Sequence, residues 1–158
     1  MKIEDIKEML PQKPERMECV EEPKRQELVK ASYDVVGCIL EVYKQLGAGL
    51  PEYIYQEALA KQLKRKGIVY HKEMKFHPLF NDEPLVAFLK MDLVVESEVG
   101  NIIVECKALT QLTEKEHYQL FGYMRATKFP IGILVNFGME RRAQVERYHY
   151  SNGKLYVF

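Results

Sequence analysis

The stretch LVAFLKMDLVVESEVGNIIVECK, residues 85–107, decides the fold of this 158-residue chain. It holds two runs of strand-forming residues on either side of a short turn, Ser97–Gly100, which predicts an antiparallel hairpin. Because the loop is short and even, the register places Asp92 directly opposite Glu105. Directly opposite side chains share one face of a sheet, with Cβ atoms about 4.5–5.5 Å apart.

Three ionisable side chains therefore meet on one face of this hairpin. The two-residue period of a strand puts Lys107 on the face that carries Glu105, beside Asp92. Mg²⁺ or Mn²⁺ prefers carboxylate oxygens and would relieve the repulsion between the acids. A lysine there would orient a water or stabilise charge on phosphorus, which suits hydrolysis of a phosphodiester. A solvated sheet face, on which Lys107 pairs with either acid, explains the same pattern, and the pattern alone favours it.

Hydrophobic periodicity and turn residues in the rest of the chain predict helices and further strands around this hairpin. The signals are Pro51 at a first helical position, a capping box from Thr113 to Glu116, and the turn dipeptide Asn152-Gly153. The predicted elements are helices at 28–46 and 51–66, strands at 68–79, 85–95 and 102–107, a helix at 113–127, a strand at 131–137, and a hairpin within 145–158. This order predicts a mixed α/β fold with one sheet and helices packed on it.

Composition limits the function and the compartment. Hydrophobic residues make up 47% of the chain, and no apolar run is long enough to span a membrane. The 23 basic and 23 acidic residues cancel, so binding to nucleic acid would depend on a local patch or a metal. Three cysteines without a CxxC pattern, and an N-terminus unlike a secretory signal, predict reduced thiols in the cytoplasm. Residues 1–24 are predicted to form an arm, with an amphipathic turn at 3–10, attached to one domain over 25–158.

Several motifs resemble the PD-(D/E)XK nuclease superfamily. Asp92 and the triplet Glu105–Lys107, in this order of elements, are similar to its acidic pair and E-x-K triplet. The segment GLPEYIY at 49–55 resembles the GxxExxY signature of a small family within it, and ILVNFG at 133–138 looks like that family as well. The resemblance covers about residues 28–138 and implies a restriction-endonuclease-like core. One departure is Met91, which stands where the superfamily has proline.

The resemblance implies a role for each matching residue. Asp92 and Glu105 match the metal-binding acids, and Lys107 matches the catalytic lysine. Further matches are the backbone carbonyl of Cys106 as a metal ligand, and Gln119 and Tyr123 as a Gln-x-x-x-Tyr motif seen in RecB-like nucleases. The implied cofactor is Mg²⁺ or Mn²⁺, the implied substrate is DNA or RNA, and the implied product is a 5′-phosphate.

Two readings stay open for several of these side chains. Glu52 is either a third acid that reaches the metal or a first-turn residue that favours the helix dipole. Gln119 and Tyr123 either contact a phosphate or base, or are polar groups satisfied where helix and sheet meet. Tyr55 is more typical of a core residue with a hydrogen-bonded hydroxyl than of a catalytic acid. The basic run 61–66 is more typical of a solvated helix face than of a DNA groove.

Two other functions compete with the nuclease hypothesis. A non-catalytic module that binds nucleic acid or protein on the same fold is favoured by the neutral charge and the small size. A hydrolase of another small phosphate ester would use the same metal chemistry. The chain has no Gly-rich phosphate loop, which argues against an NTPase.

Overall fold

A mixed sheet with helices on both faces carries the fold. The computed structural model describes residues 17–158, so the predicted turn at 3–10 lies outside the described residues. The helices are α1 (Lys24–Leu46), α2 (Glu52–Arg65) and α3 (Glu114–Thr127). The strands are β1 (Tyr70–Phe76), β2 (Leu79–Phe80), β3 (Glu83–Pro84), β4 (Leu89–Val95), β5 (Ile102–Lys107), β6 (Ile131–Asn136), β7 (Gln144–Ser151) and β8 (Lys154–Val157).

Six strands pair in the order β1-β4-β5-β6-β7-β8, and β2 and β3 form a separate small hairpin. Only β5 and β6 are parallel among these pairs, and α3 connects them. The β8 edge is covered, because the backbone N–H of Val20 donates to the carbonyl of Val157 at 2.9 Å. Because β5 and β6 are parallel and β4 is antiparallel to β5, the carboxyl ends of β5 and β6 lie beside the start of β4, at the same end of the strands.

The sheet is buried on both faces. On one face the helices α1 and α2 contribute Leu28, Ile39 and Leu59 to a core that includes Val104 of β5. On the other face α3 contributes a second core that includes Ile103, the next residue of β5. A strand with both faces covered is apolar throughout, which explains the unbroken hydrophobic runs in β5 and β6.

The predicted fold class is confirmed, and so are the capping box of α3 and the Asn152-Gly153 turn between β7 and β8. Several boundaries were wrong. The helix predicted from residue 28 begins one turn earlier, at Lys24. The strand predicted at 68–79 is β1, Tyr70–Phe76, and the strand predicted at 85–95 begins at Leu89, since the β2–β3 hairpin at 79–84 lies between them. Pro51 caps α2 from an extended conformation, with φ −62° and ψ 149°, and is not its first helical residue.

Candidate active site

The pairing between β4 and β5 stops one residue short of the predicted acidic pair. The last paired residues are Leu93 and Val104, so the register does place Asp92 opposite Glu105. At that point side chains replace the backbone ladder: the Asp92 N–H donates to Glu105 Oε1, and the Cys106 N–H donates to Asp92 Oδ2, both at 3.0 Å. Each carboxylate is thus fixed by the backbone of the opposite strand.

Strand β4 changes face at Asp92. Leu93 packs against α1 and α2, whereas Met91, two residues earlier, packs in the core under α3. The neighbouring strand β1 has the matching irregularity, because Glu73 is left out of the pairing with β4 and has a positive φ of 53°. Such a local break re-aims a side chain, and here it turns the Asp92 carboxylate toward β5.

The acidic pair is buried unequally. Glu105 is only 2% exposed, and Asp92 is partly exposed. Burial, and then the negative charge of Asp92, raise the pKa of Glu105 to about 8. Without a cation, Glu105 therefore keeps a proton at neutral pH, because two adjacent carboxylates in a dry environment do not both ionise.

The donor chemistry of this pair fits a divalent cation. One oxygen of each carboxylate holds a backbone N–H, which leaves one oxygen of each for a shared proton or for an ion. Across residues 17–158, no group of three or more His, Cys, Asp or Glu side chains lies close enough to hold a metal. A bound ion would therefore take two protein carboxylates, and water or backbone oxygens would complete its shell.

Lys107 and the α3 motif meet beside the acids. The ammonium of Lys107 donates to Oε1 of Gln119 at 2.8 Å. Burial, and then the charges of Glu105 and Asp92, raise the pKa of Tyr123, and a hydrogen bond from the Gln119 side chain to its hydroxyl oxygen opposes this rise. The predicted Gln-x-x-x-Tyr pair thus lies next to the predicted acids and the predicted lysine.

Glu52 lies at the start of α2 within electrostatic reach of the same cluster. Burial raises its pKa, the charge of Lys107 lowers it, and the charge of Asp92 raises it. Its Oε1 accepts a hydrogen bond from Gln56 at 3.2 Å, one turn further along the helix. Among the described residues Glu52 does not join the two acids in a group of three that could hold a metal, and its link to Asp92 and Lys107 is electrostatic.

The GLPEYIY segment owes its shape to Tyr55. The Tyr55 hydroxyl donates to the carbonyl of Gly47 at 2.6 Å and accepts the N–H of Leu50 at 3.1 Å. Its ring is fully buried and stacks on Phe137, with centroids 4.5 Å apart. Tyr55 is a core residue with a satisfied hydroxyl, as predicted, and it fixes the loop that leads into Glu52.

The sequence did not predict a buried side-chain clamp, in which Asn136 holds the backbone two residues after Lys107. Asn136 is fully buried, and its amide bonds both the N–H and the carbonyl of Leu109 at 2.9 Å. A Cβ on Gly138 would lie 2.2 Å from the Leu109 carbonyl oxygen, so only glycine fits there. The one signal in the sequence was a polar residue inside the apolar run of β6.

A partly buried ion pair that anchors α3 was also missed. The Nε2 of His117 lies 2.8 Å from Oε1 of Glu146, and its Nδ1 lies 2.7 Å from the carbonyl of Thr113. Both partners are acceptors, so these two hydrogen bonds favour the doubly protonated ring. The hydrogen bond to Glu146 raises the pKa of His117. Burial alone would raise the pKa of Glu146, but the hydrogen bonds from His117 and Tyr148 lower it.

The fold and this cluster define a mixed α/β protein in which an acidic pair and a lysine meet at one end of the central sheet. A sequence profile of the PD-(D/E)XK nuclease superfamily matches residues 29–148. The chain belongs to the PD-(D/E)XK nuclease superfamily. No curated protein and no solved structure matches the chain. Within residues 17–158, no helix is both long and apolar enough to cross a membrane.

Proposed function

We propose that this protein is a divalent-metal-dependent nuclease, and that its GLPEYIY segment places it in the GxxExxY family of that superfamily. One observation carries the proposal. Glu105 is almost completely buried beside Asp92, both are tied to the backbone, and Lys107 is the cation next to them. Two carboxyl groups held this close disfavour each other's ionisation, which costs the fold stability. Such a pair is typical of a site where a bound cation or a reacting group interacts with both acids.

Asp92 and Glu105 would hold Mg²⁺ or Mn²⁺, with the carbonyl of Cys106 as a backbone ligand. The thiol of Cys106 points away, into the core under α1 and α2, so only its backbone faces the pair. An ion bound there would polarise a phosphoryl oxygen and lower the pKa of a bound water. Binding would also remove the proton that Glu105 otherwise keeps.

Lys107 is the residue that acts on the reacting atoms. Its ammonium is held at 2.8 Å by Gln119, so it is oriented before the substrate arrives. There it orients the attacking water and stabilises the negative charge that develops on phosphorus. The water oxygen forms a bond to phosphorus, the bond from phosphorus to the 3′-oxygen breaks, and the products are a 5′-phosphate and a 3′-hydroxyl.

Three further residues would support the reaction. Gln119 positions Lys107, and Tyr123 contacts a phosphate or base beside the acids. Glu52 adds negative charge near Lys107 and Asp92. The substrate is a nucleic acid, either DNA or RNA, and the reaction takes place in the cytoplasm.

A cleavage assay tests this proposal. End-labelled single-stranded and duplex DNA and RNA are incubated with the protein in Mg²⁺, in Mn²⁺, or in EDTA. We expect metal-dependent cleavage that is lost by at least about a hundredfold in Asp92→Asn and in Lys107→Ala. The matched controls are Glu57→Gln and Lys61→Ala, which alter exposed residues of α2 and should keep full activity.

Two results would contradict the proposal. Cleavage that persists in Lys107→Ala, or that continues in EDTA, would show that this cluster is not the active centre. Binding of nucleic acid or protein without cleavage in either metal, and unaffected by Asp92→Asn, would instead support the non-catalytic module. Hydrolysis of a small phosphate ester without cleavage of any oligonucleotide would move the activity to that class.

A further inference from the structure

Two lysines face each other across the β1–β4 pair. Lys75 is paired directly with Lys90, and both side chains are exposed. Like charges directly opposite each other destabilise a sheet. Among the described residues, no carboxylate forms an ion pair with either lysine. An uncompensated pair of this kind is suited to an anion from outside the chain.

An exposed aromatic ring lies beside one of these lysines. The Nζ of Lys75 lies 4.8 Å from the ring centroid of Phe88, which is 48% exposed. The ring of His77 meets Phe88 edge-on at 5.6 Å and is itself held by a contact between Nδ1 and the Leu85 carbonyl at 2.9 Å. We call Lys75, His77, Phe88 and Lys90 the basic–aromatic cluster.

The basic–aromatic cluster is next to the candidate active site along β4. Lys90 precedes Asp92 by two residues, which is about 7 Å at the usual rise of a strand. The start of β4 lies beside the carboxyl end of β5, which carries Lys107. Because Met91 and Met74 pack under α3, strand alternation puts Lys90 and Lys75 on the other face of the sheet. A strand bound at the acids therefore reaches the cluster by passing around this end of β4.

We propose that the basic–aromatic cluster binds an unpaired segment of the nucleic-acid substrate, with a base stacked on Phe88 and phosphates on Lys75 and Lys90. This inference rests on the proposed nuclease function and names its substrate class. Grooves that bind single strands combine cations for the backbone with aromatic rings for the bases. A base inside a duplex has both faces covered by its neighbours, so an exposed ring selects unpaired nucleotides.

The β2–β3 hairpin carries a second exposed surface, beyond the basic–aromatic cluster. The charges of the two surfaces show which of them suits nucleic acid. Exposed apolar residues in and just after this hairpin, Leu79, Phe80 and Val86, flank the acidic residues Asp82 and Glu83 in sequence. That tip repels phosphates, so the nucleic acid is assigned only to the base of the hairpin, where the cluster lies. Binding of a protein by the tip is one of the outcomes that the experiment separates.

The test measures binding in the cleavage-silent Lys107→Ala background. Fluorescence anisotropy gives the Kd for single-stranded DNA, single-stranded RNA and duplex DNA at several salt concentrations. We expect Lys75→Gln with Lys90→Gln to weaken single-strand binding and to lower the slope of log Kd against log salt by about 1.4, or about 0.7 for each phosphate contact. The control is Lys61→Gln with Lys64→Gln, which removes the same charge from the exposed face of α2 and should leave the slope unchanged.

Phe88 separates stacking from simple apolar contact. We expect Phe88→Leu to weaken single-strand binding about tenfold, because it removes the ring and keeps the apolar bulk, whereas Phe88→Tyr should bind like the parent. Circular dichroism and urea unfolding show that each variant folds. The DNA and RNA arms show whether the cluster discriminates the sugar.

Several results would overturn this inference. An unchanged Kd and salt slope in the cluster variants, or an equal loss in the control pair, would remove the lysines from the interface. Tighter binding of duplex than of single strand, with the same dependence on the cluster, would reject the unpaired substrate. A change in self-association or protein binding alone would assign the surface to protein. Where the wild type cleaves nucleic acid but the cluster variants behave like the control, only this inference fails; where it neither binds nor cleaves any strand, the proposed function fails too.

Discussion

Replacing Glu105 by glutamine should stabilise the metal-free protein. The substitution keeps the shape of the side chain, and the amide oxygen can still accept the Asp92 N–H. The new NH₂ group can donate to the Asp92 carboxylate, as the protonated Glu105 does, so the hydrogen bond of the pair is kept without a retained proton. An enzyme that gains stability when a catalytic group is neutralised has kept a destabilising arrangement for its function.

The size of the effect follows from the pKa of Glu105. The pKa is 4.5 in the unfolded chain and about 8 in the fold, so the folded protein retains a proton that the unfolded chain has released. At pH 7 this costs about 1.4 kcal/mol for each of roughly 2.5 pH units, or about 3 kcal/mol. The stability of the wild type relative to Glu105→Gln is therefore highest below pH 4.5 and falls until the pH passes about 8.

Urea unfolding in EDTA at pH 4.5, 7 and 8.5 measures this difference. We expect the free energy of unfolding of Glu105→Gln to exceed that of the wild type by about 3 kcal/mol at pH 7, with little difference at pH 4.5. Other titrating groups cancel in the comparison, and Glu57→Gln, an exposed carboxyl on α2, is the matched control. A variant less stable than the wild type at pH 7, or a pH dependence equal in both, would refute the reasoning.

Three further predictions concern the supports of the site, each checked by urea unfolding. Tyr55→Phe should lower the free energy of unfolding by about 1–3 kcal/mol, because it frees the backbone groups of loop 47–50, and an unchanged stability would contradict this. His117→Gln should lower the free energy of unfolding by about 2 kcal/mol at pH 6 and by less at pH 9. The raised pKa of His117 stabilises the fold below about pH 6.5, and this stabilisation is lost as the pH rises through the folded pKa. Equal losses at both pH values would exclude the charged pair with Glu146. Gly138→Ala should lower the free energy of unfolding by at least about 2 kcal/mol, because the added Cβ would lie 2.2 Å from the carbonyl oxygen of Leu109. An unchanged stability would contradict the close packing of Gly138 on Leu109.

The central geometry could be predicted because a short turn fixes a strand register. The turn Ser97–Gly100 leaves one sensible alignment, and the structure pairs Leu93 with Val104, as that alignment requires. Strand period then put Lys107 on the face of Glu105 and turned the thiol of Cys106 into the other core. These relations are local, so two short stretches of sequence contain them.

The parts that could not be predicted depend on contacts between distant segments. The change of face at Asp92 breaks the alternation that strand patterns assume, and its cause includes a neighbouring strand. The clamp of Asn136 on Leu109 joins residues 27 positions apart. The spacing within α2 shows which face carries Glu52, but the distance from that helix to the acids is set by packing.

The most direct test of this account is calorimetric titration of the metal-free wild type and of Asp92→Asn with Mn²⁺. The account predicts one site for each wild-type chain, release of a proton from Glu105 on binding at pH 7, and loss of that site in the variant. The proton appears as a dependence of the binding enthalpy on the ionisation enthalpy of the buffer. Binding that is unchanged in Asp92→Asn, or no binding by the wild type at millimolar Mn²⁺, would contradict the assignment of these two carboxylates as a metal site.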